Sequence, residues 1–301
     1  MGVRGMIGTG SDAHWRGADM RYGMGLLVLL WSTGLFAAGP NAVRKQIQAS
    51  VLVTGSVVIE ADGRALGLEI DARDALPEGV AELIEEAGTT WVFEPVVVDG
   101  TPRKAKARMS VRVVATRLDD GNYQASIRSA YFGSDAATPA EYQARPDAIK
   151  PIKKPVPDYP TEALSSGARG TVYVAVKIGR QGSVEDLVAE QVNLRSVGNE
   201  RDMNRMRELL ARSATSAIKR WTFRVPTDSD PAPFWTVRVP VLYDIERTQY
   251  GQWEVYVPGP QQRMPWYDAQ PAATDSPDAM MAGGTYEIGK GLRLLTPLQS
   301  G

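Results

Sequence analysis

The sequence predicts an α+β protein made of two copies of one small module, each an antiparallel sheet with a single long helix on one face. Three observations predict it. Strand and helix signals recur in the same order in both halves of the chain. Each helix signal ends in an aromatic pair two residues apart and then a proline, Trp91-Val92-Phe93 with Pro95 and Trp221-Thr222-Phe223 with Pro226. A glycine turn precedes the second strand of each half, Asp62-Gly63 and Gln181-Gly182. Recurrence of this kind marks an internal repeat, and strand, strand, helix, strand within a short span is α+β architecture.

The chain opens on residues 1–40, read as a leader and signal peptide. Met24 to Gly39 is apolar and uncharged, follows Arg21, and ends in the small residues Ala37-Ala38-Gly39. It falls short of the roughly 20 apolar residues that cross a bilayer comfortably, so it reads as an export signal. Translation starting at Met20 would give a more ordinary signal than Met1 does, and an uncleaved inner-membrane anchor or a buried core helix is the alternative. The expected location is the periplasm.

The first module spans 46–132. Gly55 to Ile59 runs through the Asp62-Gly63 turn into Ala65 to Ile70, a hairpin signal of β-branched residues bounded by glycine. Val80, Leu83, Ile84 and Ala87 share a helix face. Lys104 to Val113 alternates basic and apolar residues as a third strand. Its basic row, Arg103, Lys104, Lys106, Arg108 and Arg112, is read as a solvated face, with contact to an anionic envelope polymer as the second possibility.

Residues 133–157 read as a linker ending in the Pro/Lys run Lys150 to Pro157. Alternating prolines favour an extended path, reaching about 25 Å at most. The second module, 158–246, repeats the order: Gly170 to Val176, the turn at Gly182, then Val184 to Val192. A helix follows with Met203, Met206, Leu210, Ala214, Ala217 and Ile218 on one face, and then the strand Trp235 to Tyr243. Residues 247–301 form a Pro/Gly-rich tail with one strand signal, Gln252 to Val257.

Composition narrows the chemistry. The 301 residues carry 34 basic and 35 acidic side chains, a net charge of −1, which gives no electrostatic footprint for nucleic acid. Cysteine is absent, and the only histidine, His14, precedes the export segment. Thiolate chemistry, a Ser-His-Asp triad and His- or Cys-ligated metals are therefore not expected. Asp119-Asp120 reads as a turn and Glu85-Glu86 as the polar side of a helix. The expectation is no enzyme, no catalytic residues, no metal and no cofactor.

The second module resembles the C-terminal domain of the TonB energy-transducer family, over roughly Pro155 to Asp244. The resemblance rests on a Tyr-Pro helical turn at Tyr159-Pro160, Gly167 and Gly170 before the first strand, the Gly182 turn, and a helix ending in Ala217, Trp221 and Phe223. Trp221 and Phe223 read as core rather than ligand contacts. The first module resembles the domain more remotely, lacking the Tyr-Pro turn. The resemblance implies a protein partner, such as the N-terminal peptide of an outer-membrane receptor, added as a strand to a sheet edge in TonB-dependent transport. The strand for it is Trp235 to Tyr243, because Pro240 suits an edge. Its residues Trp235, Val237, Arg238, Val239, Val241 and Tyr243 are the partner-binding set. Gln252 to Val257 is expected to be able to fold back over that edge. The alternative function is a non-energised periplasmic binding or scaffolding protein on the same fold. A homodimer, or pairing of the two modules with each other, is a further possibility.

Overall fold

The structure is a computed structural model that describes residues 47–118, 121–227, 230–245, 249–267 and 276–299. The export segment Met24 to Gly39, His14, Met20 and the pair Asp119-Asp120 lie outside the described residues. The described chain is α+β and mostly antiparallel. In the first half, strands β1 (Gln48–Ile59) and β2 (Ala65–Ile70) form the expected hairpin, and helix α1 (Val80–Gly88) follows. A small flap of β3 (Val97–Val98) and β4 (Thr101–Pro102) leads to β5 (Ala105–Arg117) and β6 (Tyr123–Phe132). A capped turn, α2 (Pro139–Ala144), and β7 (Lys150–Lys153) join the halves. The second half contains α3 (Thr161–Ser165), β8 (Gly170–Gly179), β9 (Val184–Leu194), α4 (Glu200–Ile218), β10 (Thr222–Arg224) and β11 (Phe234–Tyr243). The tail adds β12 (Glu254–Tyr256), a 3₁₀ turn at Pro277–Ala279 and β13 (Tyr286–Glu287).

The halves share their local chemistry. In each, the turn glycine has positive φ, Gly63 at 91° and Gly182 at 74°. That backbone conformation favours glycine. In each, the aromatic after the helix locks onto the turn: Phe93 N–H donates to the Gly63 carbonyl at 2.7 Å and Phe223 N–H to the Gly182 carbonyl at 2.8 Å. A Cβ on either glycine would strike the carbonyl oxygen of that same phenylalanine. The first tryptophan closes the helix end, with Trp91 N–H on Gly88 and Trp221 N–H on Ile218. Counted from the turns, Ile59 opposite Ala105 corresponds to Ile178 opposite Trp235. The same count matches Leu52 with Thr171, and Arg112 with Leu242.

The apolar faces are built as the periodicities predict. Val53, Val57, Ile59, Met109 and Val111 pack with Val80 and Ile84 of α1 and with Trp91 and Phe93 in one core. Val172, Val174, Val176, Val237 and Val239 pack with Met203, Leu210 and Ile218 of α4 and with Trp221 and Phe223 in the other. Helix α4 starts at Asn199, whose side chain accepts from Asp202 N–H at 2.9 Å, a helix cap of the expected type.

Four features differ from the sequence expectation. The first sheet has order β12-β1-β5-β6 with β2 also on β1, so β6 adds a strand not anticipated after β5. The Pro/Lys run is extended but is no free spacer, because β7 pairs with β10 from Thr222 to Arg224. The tail strand does not return to β11. Instead β12 pairs with Gln48 to Ser50 of β1, and Val257 bridges to Leu194 of β9. The edge of β11 is taken by β13, opposite Val237 and Arg238.

The tail also runs far beyond one strand. Leu298 is buried in the first core beside the half-buried Leu292 and Leu294, and its carbonyl accepts from the Trp91 indole at 3.0 Å. The non-helical faces of the two sheets therefore turn toward each other with tail residues between them. Tyr131 of β6, Tyr173 of β8, and Ala279, Met280 and Tyr286 of the tail form one cluster. Ser50, Ser110, Thr171, Gln191 and Asn193 look like solvent-facing positions, yet all are buried in this layer.

Candidate binding site

The edge expected to take a partner strand is β11. Its odd residues face α4: Trp235, Val237, Val239 and Tyr243 are buried and Val241 is half-buried, all but Val241 within the second core. The Trp235 indole donates to Asp230 Oδ2 at 3.0 Å, and Tyr243 donates to Ser213 Oγ at 2.9 Å. Burial pushes the Tyr243 hydroxyl up to about 12. These side chains serve the fold and are not presented to a partner.

The other face of β11 is covered rather than open. Arg238 is 1% exposed and pairs in a double hydrogen bond with the equally buried Glu190, both contacts at 2.8 Å. Arg238 also donates to the Tyr131 hydroxyl at 3.0 Å, which ties β11 to β6 of the first half, and Gln261 of the tail donates to Glu190 at 3.1 Å. A buried pair of this kind is sensitive to loss of either member. Thr236 and Pro240 are buried beside it, and only Leu242 opens to solvent.

The outer backbone of β11 is sealed along most of its length. Ile288 N–H donates to the Thr236 carbonyl at 2.9 Å and Gly283 N–H to the Pro240 carbonyl at 3.1 Å. Since outward groups alternate along a strand, Val239 N–H points to β8, and a proline there would disturb the sheet rather than a partner contact. The sealing strand is itself anchored: Thr285 and Tyr286 are fully buried, and the Tyr286 hydroxyl donates to the Met281 carbonyl. Beyond Pro240 the cover stops, and no backbone partner faces Leu242 among the described residues.

The residues of the Tyr-Pro motif are structural. Pro160 precedes α3, and Gly167 ends it at φ 66°. Tyr159 donates to the Ala168 carbonyl at 2.5 Å and stacks edge-on against Tyr243. A Cβ on Gly170 would strike the Asn193 carbonyl oxygen, and Ala217 lies on the buried face of α4. Trp221 and Phe223 are buried in the second core, with the Trp221 indole on the Pro155 carbonyl at 2.9 Å.

Three members of the basic row, Lys104, Lys106 and Arg108, are matched, and Arg112 is buried rather than solvated. Lys104 pairs with Glu60 at 2.9 Å, Lys106 with Glu69, and Arg108 with Asp71 at 2.7 Å. The Arg108 contact holds the Asp71 carboxyl below its usual range. Cross-strand acids thus occupy the row's centre, leaving little excess charge for an anionic polymer.

Two features were missed by sequence reading. The first is Asp278, fully buried between the sheets, whose carboxylate accepts from Arg128 at 3.0 Å and from the hydroxyls of Ser129 and Tyr256. Burial, reinforced by that carboxylate, raises the Tyr256 hydroxyl well above its ordinary value. One acid in the tail therefore clamps β6 and β12. Its only sequence signal was Ser276-Pro277-Asp278, a turn-like triplet in a stretch without periodicity. The second is a cleft of about 630 Å³ at the open end of the inter-sheet layer, lined by Leu52, Arg112, Thr171, Leu242, Tyr250 and Met281 among others. Leu52 and Arg112 are cross-strand partners in the first sheet, and Thr171 and Leu242 are partners in the second. The two halves thus contribute matching register positions to one opening. Among the described residues no cluster of acidic or histidine side chains is placed to hold a metal ion, and no helix is long and apolar enough to cross a membrane. No protein-family model, curated protein or solved structure matches the chain.

Proposed function

We propose that the protein is a non-catalytic periplasmic scaffold that binds envelope partners, built from two TonB C-terminal-like modules set back to back. The order β9-β8-β11 under α4, with Tyr159-Pro160 packed on Tyr243, supports the likeness of the second module. The repeated glycine turn and Trp-x-Phe lock support reading the first as a diverged copy. The observation that carries the choice of scaffold over force transducer is the occupied edge of β11. In the family it resembles, that edge would receive the receptor's peptide, whereas here β13 holds it through the buried Thr285 and Tyr286. Strand addition along Thr236 to Pro240 would require Tyr286 to leave the inter-sheet cluster, and burying a large aromatic is a strong anchor.

The test is photo-crosslinking in living cells from a photoreactive residue at the exposed positions Leu242 and Val97, with and without a protonophore. The expected outcome is crosslinking to envelope proteins that does not change when the proton gradient collapses. Crosslinks to an outer-membrane receptor that vanish with the gradient, together with loss of receptor-dependent uptake on deletion, would establish the transducer reading instead. Cytosolic fractionation of the native protein would overturn both.

A further inference from the structure

The inter-sheet cleft is lined by the cations Arg112 and Arg195 and the acids Asp244 and Glu254, and Arg112 is the lining cation that no carboxylate contacts among the described residues. Arg112 is 8% exposed, and its guanidinium donates to two neutral acceptors, the Asp278 carbonyl at 2.9 Å and Ser50 Oγ at 3.3 Å. The carboxylates around it are engaged elsewhere: Asp278 with Arg128, and Asp244 and Glu254 with Arg195. A guanidinium offers five donors in a fixed fork, and Nη2 of Arg112 has no protein acceptor among the described residues. A nearly buried cation with free donors, lining an open cleft, is suited to an anionic group that it can hold in a paired, charge-assisted contact.

The rest of the cleft describes what is attached to that anion. Leu52, Leu242 and Met281 supply an apolar lining, and methionine adapts to different side-chain shapes. Leu242 is 43% exposed and sits where the cover of β11 ends. Outward backbone groups alternate with period two, so Leu242 follows Thr236 and Pro240 in presenting its N–H and carbonyl outward. An unpaired strand edge matches a peptide backbone and has nothing to offer a hydrocarbon chain.

We propose that this cleft binds the C-terminal end of an extended, apolar segment of a protein partner. The partner's free α-carboxylate pairs with Arg112, and its backbone continues the β11 edge from Leu242. This rests on the scaffold reading, and it moves the binding site from the sealed part of β11 to its open end.

The experiment measures fluorescence anisotropy of a labelled heptapeptide of alternating valine and threonine, with a free C-terminal carboxylate, against the full chain after export processing. The same peptide with an amidated C-terminus is the control, and decanoate is the competitor that separates a fatty acid from a peptide. The free acid is expected to bind about tenfold or more tighter than the amide, as loss of a charge-assisted hydrogen bond predicts. Arg112→Gln is expected to erase that difference. Because Arg112 also supports Asp278, Leu242→Glu serves as a second variant at an exposed position, and it is expected to weaken the free acid about tenfold while the protein stays folded. Equal binding of acid and amide, no binding by the intact chain, displacement by decanoate with no peptide affinity, or a folded Leu242→Glu variant that binds normally would each overturn the proposal. Cellular crosslinks to envelope partners that survive both substitutions would overturn the cleft while leaving the scaffold reading intact.

Discussion

Strands β5 and β11 hold the same place in the two halves, and their outer edges are finished differently. β5 is covered from Met109 to Arg117 by β6, the next strand in sequence, and Leu118 N–H donates to the Asn122 carbonyl between them. β11 is covered only around Thr236 to Pro240, by residues that arrive from the far end of the tail. Unpaired edges invite unwanted pairing, and proteins cover or blunt them. The first half does so with a local hairpin. The second uses a distant strap and a proline, and leaves the register position of Leu242 open where the first half has Arg112 beneath β6. A long-range cover couples the finishing of one sheet to the core of the other, because the same tail that carries β13 also buries Leu298 beside Trp91.

The largest break in this comparison is to remove the strap. A stop codon at Ser276 deletes the Asp278 clamp, β13, and Leu292, Leu294 and Leu298 from the first core. The expected outcome is loss of cooperative unfolding in chemical denaturation followed by circular dichroism, in both halves. A truncated protein with an intact, cooperative transition would show that the strap is dispensable. Such a deletion is therefore no clean way to expose the β11 edge.

Next in size is a proline in the locally finished edge. Ser110 pairs with Tyr131 of β6 and corresponds in register to Pro240. Its N–H faces β6 by alternation, so Ser110→Pro removes a ladder bond inside a sheet. A cost of about 3 kcal/mol or more is expected, read as a shift in the urea midpoint. A loss under about 1 kcal/mol would mean that β5 and β11 are not edge-equivalent.

Asp278→Ala tests the clamp without removing the chain. It leaves Arg128, Ser129 and Tyr256 without their shared acceptor. Breaking a pair that has one fully buried member is expected to cost about 3 kcal/mol, with Tyr256 titrating closer to its ordinary value once the carboxylate is gone. An unchanged melting curve would place the acid at the surface instead.

The likeness between the two halves is sharpened by their turn glycines. Gly63→Ala and Gly182→Ala each force a side chain into a positive-φ position and against a phenylalanine carbonyl. Each is expected to cost about 2 kcal/mol, with the two values within about 1 kcal/mol of each other. A large penalty at one site only would mean that the two turns resemble each other without sharing a role.

Much of this architecture was legible in the sequence, and the reasons are local. Val172, Val174 and Val176 alternate, Met203, Met206 and Leu210 recur at helical spacing, and Gly63 and Gly182 punctuate hairpins. Each signal spans a few residues. What was not legible is long-range. Ser110, Thr171 and Asn193 are polar and alternate outward, so they read as solvated until a second sheet covers them. Lys106, Arg108 and Arg112 share one face of β5, but Arg112 is buried rather than solvated, and the acids that match the other two, Glu69 and Asp71, sit two strands away in space. Beyond the strand signal at Gln252 to Val257 the tail has no periodicity, because each short piece serves a different neighbour: Glu254 to Tyr256 serves β1, Val257 serves β9, Asp278 serves β6, and Tyr286 serves β11. Arg112 could be placed on a strand face, but the absence of a carboxylate beside it required knowing where Asp278 and Glu254 point.

The smallest expected effect is at Pro240, the residue that first suggested an edge. Its carbonyl accepts from Gly283 at 3.1 Å, and its ring nitrogen has no hydrogen to give. By alternation that missing donor would point outward, toward the tail and away from β8, so proline costs the β8–β11 ladder nothing. Pro240→Val restores an N–H at a place where Gly283 approaches as a donor, and valine suits the extended backbone. Two modest terms then oppose each other. The unfolded chain gains freedom, which destabilises by roughly 0.5–1 kcal/mol, and valine's preference for strands offsets part of this. The net change is expected to be a loss below about 1 kcal/mol, well under that of Ser110→Pro. The contrast between the two substitutions is the measurement: a sheet position that tolerates proline in one half and rejects it in the other. A loss above about 2 kcal/mol for Pro240→Val would mean that the fixed φ of proline, rather than an edge that needs no donor, is what the second half requires there.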